Sequence, residues 1–276
     1  MDTITPRSIQ QYAVYLQSRR RAPATVQKYA HYLKQFAAWL GTRPFTRESF
    51  AAWAAGLECS PRTANGAISA VNGYARWIGR PELKLEFNRV ETPYYRPERR
   101  ELKKADYEAL LHAAAGAGRE RLYLTVMTIA GLGIRVSELP FITLRAVQSG
   151  EASITNKGKT RRVVIPKLLR ERLLRYCRAQ SIAGGPVFVT RSGKPLGRRQ
   201  IWAELKMLAR RAHVALEKVF PHNLRHLFAV LHYGAHKDLF GLSRILGHSS
   251  VKTTQLYLVT GSEVFAHQME VLGLIQ

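Results

Sequence analysis

Cysteine is scarce in this chain, since its 276 residues include only Cys59 and Cys177. The two are far apart and neither belongs to a CxxC motif, which excludes a disulfide framework and a cysteine-based zinc site. We expect both thiols to be reduced and buried. Long uninterrupted apolar runs and a signal-like N-terminus are also lacking, so a membrane-spanning or secreted protein is not expected. The sequence therefore predicts a cytoplasmic protein.

Acidic residues are few relative to basic ones. The chain has 19 Asp and Glu against 43 Lys and Arg, which gives a formal net charge of +24 at pH 7. Both halves of the chain carry this excess, so it does not come from a basic tail. The charge favours a polyanionic partner that both halves contact. DNA or RNA fits this description, and binding driven by counterion release would weaken steeply as salt is added.

The periodicity of apolar residues divides the chain into two predicted domains. Residues 1–85 show helical spacing, with helices expected over 8–20, over the stretch from Tyr29 to Leu40, and over 46–57 and 61–78. This pattern predicts a compact four-helix domain. Residues 86–100 contain Pro93 and Pro97 and lack periodicity, as a linker does. A second domain is predicted over residues 101–276.

The second predicted domain mixes helices with short strands. Helices are expected at 105–115 and at 119–131, the latter ending at Gly131. Strands at 152–154 and 162–165 flank a turn-like stretch at 156–159, and a further strand is expected at 186–190. The remainder returns to helical spacing. The predicted fold class is mainly α with a small antiparallel β-sheet, an N-terminal helical domain preceding an α+β domain.

The second domain also contains the residue types needed to cut a phosphodiester. The reaction requires a nucleophile, cations that hold the phosphoryl oxygens, and an acid for the leaving alkoxide. Arg135 and Arg225 are candidates for the cations, because the guanidinium group forms bidentate, permanently charged hydrogen bonds to phosphate oxygens. Tyr257 is the candidate nucleophile, since a dense cationic cluster would stabilise its phenolate.

Each of these residues also has an ordinary structural interpretation. Arg135 and Glu138 are three residues apart and could form a helix-surface ion pair. Lys157 could be a solvated turn residue, His248 a helix cap, and Tyr257 a core aromatic residue. It is the joint pattern, in which all of them occur in order, that favours the catalytic interpretation.

His222 and His226 are four residues apart, a spacing that can bind zinc on a helix. No glutamate stands between them as in the HExxH motif, and the sequence specifies no third ligand. A metal site is therefore not predicted, and we expect the protein to use no cofactor.

The ordered motifs of this domain resemble the tyrosine recombinase/integrase family. The resemblance rests on Gly-Ile-Arg135-Val-Ser-Glu-Leu, on His222-x-x-Arg225-His226, on Leu-Gly-His248-Ser and on Tyr257. Their spacing is that of Xer-type recombinases and of integrases from mobile elements. The resemblance covers nearly the whole second domain. The first domain is similar only in pattern to the helical core-binding domain of the family.

The resemblance implies a role for each residue. Arg135 and Arg225 would clamp the scissile phosphate, and Lys157 would protonate the departing 5′ oxygen. His222 would help to deprotonate Tyr257, which would form a 3′-phosphotyrosyl bond. His248 would donate a hydrogen bond to a non-bridging oxygen in the transition state.

The resemblance also implies partners. They are double-stranded DNA with specific core sites, further copies of the chain in a homotetramer on two sites, and an accessory or directionality protein. An amphipathic last helix is expected from Phe265, Met269 and Leu272, and it would pack in cis or dock on a neighbouring protomer. Two other functions stay open, a type IB topoisomerase-like activity and a catalytically silent DNA-binding accessory protein.

Overall fold

The computed structural model describes residues 4–90, 98–156, 159–248 and 250–257. It separates into two compact units, with the boundary between Thr92 and Pro93. Both units are mostly helical, and the described residues contain one two-stranded antiparallel sheet. The predicted fold class is confirmed. Within the described residues, no helix combines the length and the apolar character needed to cross a membrane.

The first unit is a bundle of four helices, α1 (Pro6–Ser18), α2 (Pro23–Leu40), α3 (Arg47–Ala55) and α4 (Pro61–Trp77). The four predicted helices are thus present, with ends shifted by a few residues. Thr5 and Thr46 form capping boxes at the starts of α1 and α3, so local polar residues decide where these helices begin. The core contains fully buried aromatic and aliphatic side chains, among them Leu33, Phe36 and Phe50.

Two asparagines of α4 hold the chain segment that follows it. The amide of Asn72 donates to the carbonyl oxygen of Leu85 at 2.8 Å and accepts from its N–H at 2.9 Å. Asn65, two turns earlier, makes the same pair of bonds with the backbone of Asn88 at 2.8 and 2.7 Å. Because each side-chain amide satisfies both polar groups of a peptide, this segment is fixed along α4 without being part of a helix or sheet.

The second unit begins with a 3₁₀ turn, Glu98–Arg100, and contains eight helices and one β-hairpin in its described residues. The elements in chain order are α5 (Lys104–Gly116), α6 (Glu120–Leu132), a 3₁₀ turn (Val136–Phe141), α7 (Leu144–Ser149), β1 (Glu151–Asn156), β2 (Lys159–Val164), α8 (Lys167–Ala179), α9 (Arg198–Arg211), α10 (Pro221–His236), α11 (Leu239–Leu246) and α12 (Val251–Tyr257). Helices α5, α6, α9 and α10 pack on one another and enclose the core. The hairpin pairs Glu151 with Val164 and Asn156 with Lys159.

Three sequence-based predictions need correction. The strand expected at 186–190 is absent, and Pro186 and Val189 instead form two isolated bridges, with Thr143 and Pro195. Proline occurs in both bridges and cannot donate to a ladder of hydrogen bonds, so the pairing does not extend.

Helix α6 does not stop at Gly131 but continues to Leu132, and Gly133, with a φ of 59°, ends it. The left-handed backbone that terminates a helix is available to glycine at little cost, and Gly133 rather than Gly131 adopts it.

Of the two cysteines expected to be buried, Cys177 is buried but Cys59 is exposed in the loop before α4. The amphipathic helix predicted after Tyr257 lies outside the described residues.

Candidate active site

Arg135 lies directly after the turn that ends α6. Its backbone N–H donates to Glu138 Oε2 at 2.8 Å, and its Nη1 donates to Oε1 at 2.9 Å. The side chain of Arg135 is about one third exposed, at 34%, whereas that of Glu138 is 1% exposed. The pair anticipated from the sequence as a possible surface ion pair therefore consists of a buried carboxylate beneath a partly exposed guanidinium group.

Glu138 is shared by three arginines. Arg161 on β2 forms a bidentate contact, with Nη1 and Nη2 donating to Oε1 and Oε2 at 2.8 and 2.9 Å. Arg225 lies on the other side, with its Nη1 3.9 Å from Oε2. Burial by itself raises the pKa of the Glu138 carboxyl, but the hydrogen bonds from Arg161 and Arg135 outweigh it and lower this pKa to about 2. The carboxylate is thus charged at any physiological pH.

Arg225 projects from the first half of α10 into the protein interior. Its side chain is 1% exposed. Nη1 donates to the carbonyl oxygen of Gly133 and Nη2 to that of Leu246, both at 2.7 Å. These two carbonyls belong to the residues where α6 and α11 end, so the guanidinium group connects two helix termini. Placing the positive charge at the negative ends of the helix dipoles also favours it electrostatically.

His248 follows the end of α11 and contacts Arg225 directly. Nη2 of Arg225 is 2.9 Å from His248 Nε2, and His248 Nδ1 is 2.9 Å from the hydroxyl oxygen of Thr254 on α12. A guanidinium group can only donate, so Nε2 accepts and Nδ1 carries the proton that is donated to Thr254. Arg225, His248 and Thr254 therefore form a continuous chain of hydrogen bonds from α10 to α12.

The environment of His248 disfavours its charged form. Burial is the largest cause, followed by the positive charges of Arg225, Arg135 and Arg161 and then by His222, and together they lower the pKa of the imidazole to about 4. The ring is neutral at pH 7. A neutral ring keeps one nitrogen as an acceptor, which the contact with Arg225 requires.

The structure brings Arg135, Arg225 and His248 into one cluster. His222, in the first turn of α10, is exposed but lies close enough to His248 to contribute to its lowered pKa. Tyr257 is the last residue of α12, and this helix packs against α10 and α11. The side chain of Tyr257 and the whole of Lys157 lie outside the described residues.

Sequence reasoning missed two residues of this cluster. Arg161 holds both oxygens of Glu138, and the hydroxyl of Thr254, fully buried, holds the ring of His248. Arg161 could have been found from the strand pattern, because successive side chains of a β-strand point to opposite faces and Arg161 and Arg162 therefore face opposite sides of β2. Because the two arginines are adjacent, the sequence alone does not show which of them faces inward.

No group of three or more metal-ligating side chains occurs among the residues that the structure describes.

The first unit has a separate basic surface. A groove of about 980 Å³ is lined by Arg19, Arg21, Arg47 and Arg76 together with the aromatic rings of Tyr12, Tyr15 and Trp77. The guanidinium group of Arg19 lies 5.6 Å from the centroid of the Tyr15 ring. Positive side chains interleaved with aromatic rings are typical of surfaces that bind nucleic acids.

Comparison with known families accounts for both units. Residues 100–261 match the family described as "Phage integrase family", and residues 9–81 match "Phage integrase, N-terminal SAM-like domain". The matched segments include Arg135, Arg225, His248 and Tyr257.

Individual proteins agree with this match. The chain is 33% identical over 264 residues to "Tyrosine recombinase XerD" of Pseudomonas aeruginosa, covering 86% of each chain. It is 28% identical over 277 residues to "Tyrosine recombinase XerA" of Thermococcus kodakarensis, covering 97% of this chain and 96% of that one. A lambda integrase, solved as a tetramer bound to a Holliday junction, has the same fold with a TM-score of 0.73 at 18% identity, covering 91% of this chain and 76% of that one.

Proposed function

This chain belongs to the phage integrase family of tyrosine-type site-specific recombinases, and from that premise we propose that it cuts and rejoins DNA through a 3′-phosphotyrosyl bond to Tyr257. The observation that supports the proposal is the cluster of Arg135, Arg225 and His248, connected by hydrogen bonds to the helix that ends at Tyr257. Two guanidinium groups and an imidazole beside one phenol-bearing helix suit an attack on a phosphodiester.

In the proposed reaction, the phenolate oxygen of Tyr257 attacks the scissile phosphorus. The bond to the 5′ oxygen breaks, the 3′ phosphate stays on Tyr257, and the leaving oxygen takes a proton from Lys157. His222 accepts the phenol proton. Arg135 and Arg225 balance the negative charge that develops on the non-bridging oxygens. The strand is rejoined when a 5′ hydroxyl attacks the phosphotyrosine, which regenerates the phenol.

The energy of the broken phosphodiester is kept in the phosphotyrosine bond, so the proposed reaction requires no ATP. The arginines, the lysine and the histidines supply the positive charge that metal ions supply in many phosphoryl transferases. We therefore propose that activity persists in EDTA.

Arg225 must become accessible for this reaction. Its guanidinium group is buried, and its Nη2 donates to both Leu246 and His248. A phosphate oxygen reaches Nη2 only when the ring of His248 turns aside or when the segment between α11 and α12 shifts. We propose that the scissile phosphate replaces His248 as an acceptor of Arg225. The freed neutral ring then takes the tautomer that carries its proton on Nε2, so that this nitrogen donates to the phosphate while Nδ1 accepts from the hydroxyl of Thr254.

The whole chain is proposed to act as a homotetramer on two DNA sites, with the basic surfaces of both units contacting the duplex. The likeness to a lambda integrase that was solved as a tetramer on a Holliday junction supports this assembly. Phosphate contacts give such a complex its affinity, so binding should weaken strongly with salt.

The experiment that tests the proposal is the detection of a covalent protein–DNA adduct on a denaturing gel. Wild type, Tyr257→Phe and Tyr233→Phe are incubated in EDTA with nicked duplexes taken from the DNA that flanks the gene. We expect an adduct with wild type and with Tyr233→Phe, a control in the same unit, and none with Tyr257→Phe. An adduct in the Tyr257→Phe protein would disprove the assignment of the nucleophile.

Two other outcomes would favour the alternative functions. Specific DNA binding by wild type with no adduct on any duplex would indicate a catalytically silent accessory protein. Relaxation of supercoiled plasmids of unrelated sequence by monomeric protein would indicate a type IB topoisomerase-like activity.

A further inference from the structure

Arg161 is a largely buried arginine that the proposed reaction does not use. It lies on β2, its side chain is 16% exposed, and both of its terminal nitrogens donate to Glu138. A bidentate contact fixes the plane of the carboxylate as well as its distance, because two parallel hydrogen bonds allow little rotation. The orientation of Glu138 is therefore set by Arg161.

The orientation of Glu138 in turn sets that of Arg135. The same two carboxylate oxygens that Arg161 holds also accept the Nη1 and the backbone N–H of Arg135. The contact with the backbone N–H fixes the turn after α6, and the contact with Nη1 fixes the guanidinium group. Arg161 thus acts on Arg135 through a shared partner, the carboxylate of Glu138.

The stem of Arg161 lies against the other side of the cluster. Gly247 has a φ of 64°, and a Cβ placed on it would be 2.5 Å from Arg161 Cδ and 2.9 Å from its Nε. The chain at Gly247 therefore passes closer to Arg161 than any residue with a side chain could. His248 is the next residue, and Arg161 is close enough to the imidazole for its positive charge to contribute to the lowered pKa of His248.

We propose that Arg161 is a positioning residue of the recombination site, which fixes Arg135 through Glu138 and fixes His248 by packing against Gly247. The inference rests on the proposed function. Arg161 does not contact the DNA in this proposal, and its removal should slow the chemical step while leaving DNA binding unchanged.

The strand provides a matched control. Arg162 is the next residue, its side chain is 81% exposed, and its Nη1 lies 3.7 Å from Oε2 of Glu151. Arg161→Met and Arg162→Met remove the same charge from the same strand, and Arg162→Met shows how much the loss of an exposed positive charge changes the rate and the affinity by itself.

The experiment measures the single-turnover rate of adduct formation and the affinity for the same duplex. We expect Arg161→Met to form the adduct about 100-fold more slowly than Arg162→Met, the loss that misplacement of catalytic groups by about 1 Å produces. Arg161→Met should keep the affinity of wild type within about twofold, because Arg161 is largely buried against Glu138, and Arg162→Met should bind no more tightly, since it loses an exposed charge. Arg161→Lys should recover little of the rate, since an ammonium group cannot form the bidentate contact.

A double-mutant cycle separates positioning from a general loss of folding. If Arg161 acts on Arg135 through Glu138, adding Arg161→Met to Glu138→Gln should slow the reaction much less than Arg161→Met slows wild type, the remaining loss being that of the contact with Gly247. Rates that multiply independently, or an Arg161→Met protein that forms the adduct as fast as Arg162→Met, would overturn the proposal while leaving the proposed function intact.

A spectroscopic measurement tests whether Arg161 positions His248, and it does not depend on DNA cleavage. Nitrogen-15 NMR of the unliganded protein should show His248 with its proton on Nδ1 in wild type and in Arg162→Met, and a mixture of tautomers in Arg161→Met. Unchanged His248 signals in Arg161→Met would refute the positioning role. Failure of wild type to form any adduct would count against the proposed function, whereas the His248 spectra would still test Arg161.

Discussion

Arg225 and His248 are joined by a hydrogen bond of 2.9 Å, in which Nη2 of the arginine donates to Nε2 of the imidazole. This bond assigns the proton of the neutral ring to Nδ1, where Thr254 accepts it. The assignment has a direct consequence for the proposed chemistry. While Nε2 accepts from Arg225 it carries no proton and cannot donate to a phosphate oxygen, so engagement of the phosphate requires both the release of Arg225 and the exchange of the ring proton from Nδ1 to Nε2.

The first prediction concerns the stability of the protein at mildly acidic pH. The pKa of His248 is lowered from 6.5 to about 4, mainly by burial and then by the neighbouring arginines. Between these two values the unfolded chain binds the proton and the folded chain does not, so the free energy of unfolding falls as the pH is lowered from 6.5 to 4. His248 makes no such contribution above pH 6.5, where both states are neutral.

His248→Gln tests this prediction, because the glutamine side chain does not titrate and its oxygen can accept from Arg225. Urea unfolding curves are measured for both proteins between pH 4 and pH 7.5. Wild type should lose more stability than His248→Gln as the pH falls through this range. Parallel pH profiles would show that His248 is not held neutral by the fold.

The second prediction concerns the carboxylate shared by three arginines. Glu138→Gln removes the negative charge while preserving the shape of the side chain, and it leaves buried guanidinium groups without a counter-charge. We expect a loss of about 3–5 kcal/mol in the free energy of unfolding at pH 7. The folded-state pKa of about 2 lies below the ordinary 4.5, so this stabilisation is present above pH 4.5 and is lost as the pH falls toward 2.

Urea unfolding curves of wild type and Glu138→Gln, measured at pH 7 and at pH 3, test both the size of the loss and its dependence on pH. The gap between wild type and Glu138→Gln should be large at pH 7 and smaller at pH 3. A gap that is the same at both values would mean that the charge of Glu138 contributes nothing.

The third prediction concerns Gly133, which ends α6 two residues before Arg135. Its φ is 59°, and a Cβ at this position would be 2.5 Å from Cδ1 of the Phe228 ring on α10. Gly133→Ala should reduce the free energy of unfolding by roughly 2–4 kcal/mol, through backbone strain and overpacking combined.

Gly118→Ala is the matched control for Gly133→Ala. Gly118 has a similar φ of 62° in the same unit, but nothing lies within 4 Å of the added Cβ. This variant should lose only the backbone contribution, about 1–2 kcal/mol. Equal losses in the two variants would show that the ring of Phe228 moves away without cost.

The fourth prediction concerns the segment fixed along α4 in the first unit. Asn72→Ala leaves the N–H and the carbonyl oxygen of Leu85 without their side-chain partner, which should cost about 1–3 kcal/mol. Amide hydrogen exchange at Leu85 should become faster, while exchange at Phe36 in the core of the bundle changes only by the global loss of stability. Exchange at Leu85 that stays as slow as in wild type would show that the segment is held by other contacts.

Much of the fold could be predicted from the sequence because its signals are local. The four helices of the first unit begin at prolines or at threonine and serine caps. The two strands of the hairpin correspond to the two β-prone stretches of the sequence. The strand expected at 186–190 is absent for a reason that is only partly local, since Pro186 belongs to the stretch itself whereas Pro195 is the partner that the fold brings to Val189. Its residues have suitable composition, but proline in both bridges prevents a ladder from extending.

The candidate active-site cluster could be predicted in part, because its motifs are also local. Arg135, Arg225 and His248 belong to short motifs whose order is visible in the sequence, and the structure brings the three together. The contribution of Arg161 could not be foreseen, because it depends on which face of β2 is turned inward. The burial of Arg225 could not be foreseen either, since it results from the meeting of two helix ends distant in sequence.

Thr254 lies on the same helix as Tyr257, and its hydroxyl receives the proton of the ring that occupies Arg225. One hydrogen-bonded path therefore connects the helix that ends at Tyr257 to the arginine that is proposed to hold the phosphate. That arginine is already engaged in the free protein. Under the proposed mechanism, a protomer on an arbitrary duplex would have to break this path before it could nick the DNA.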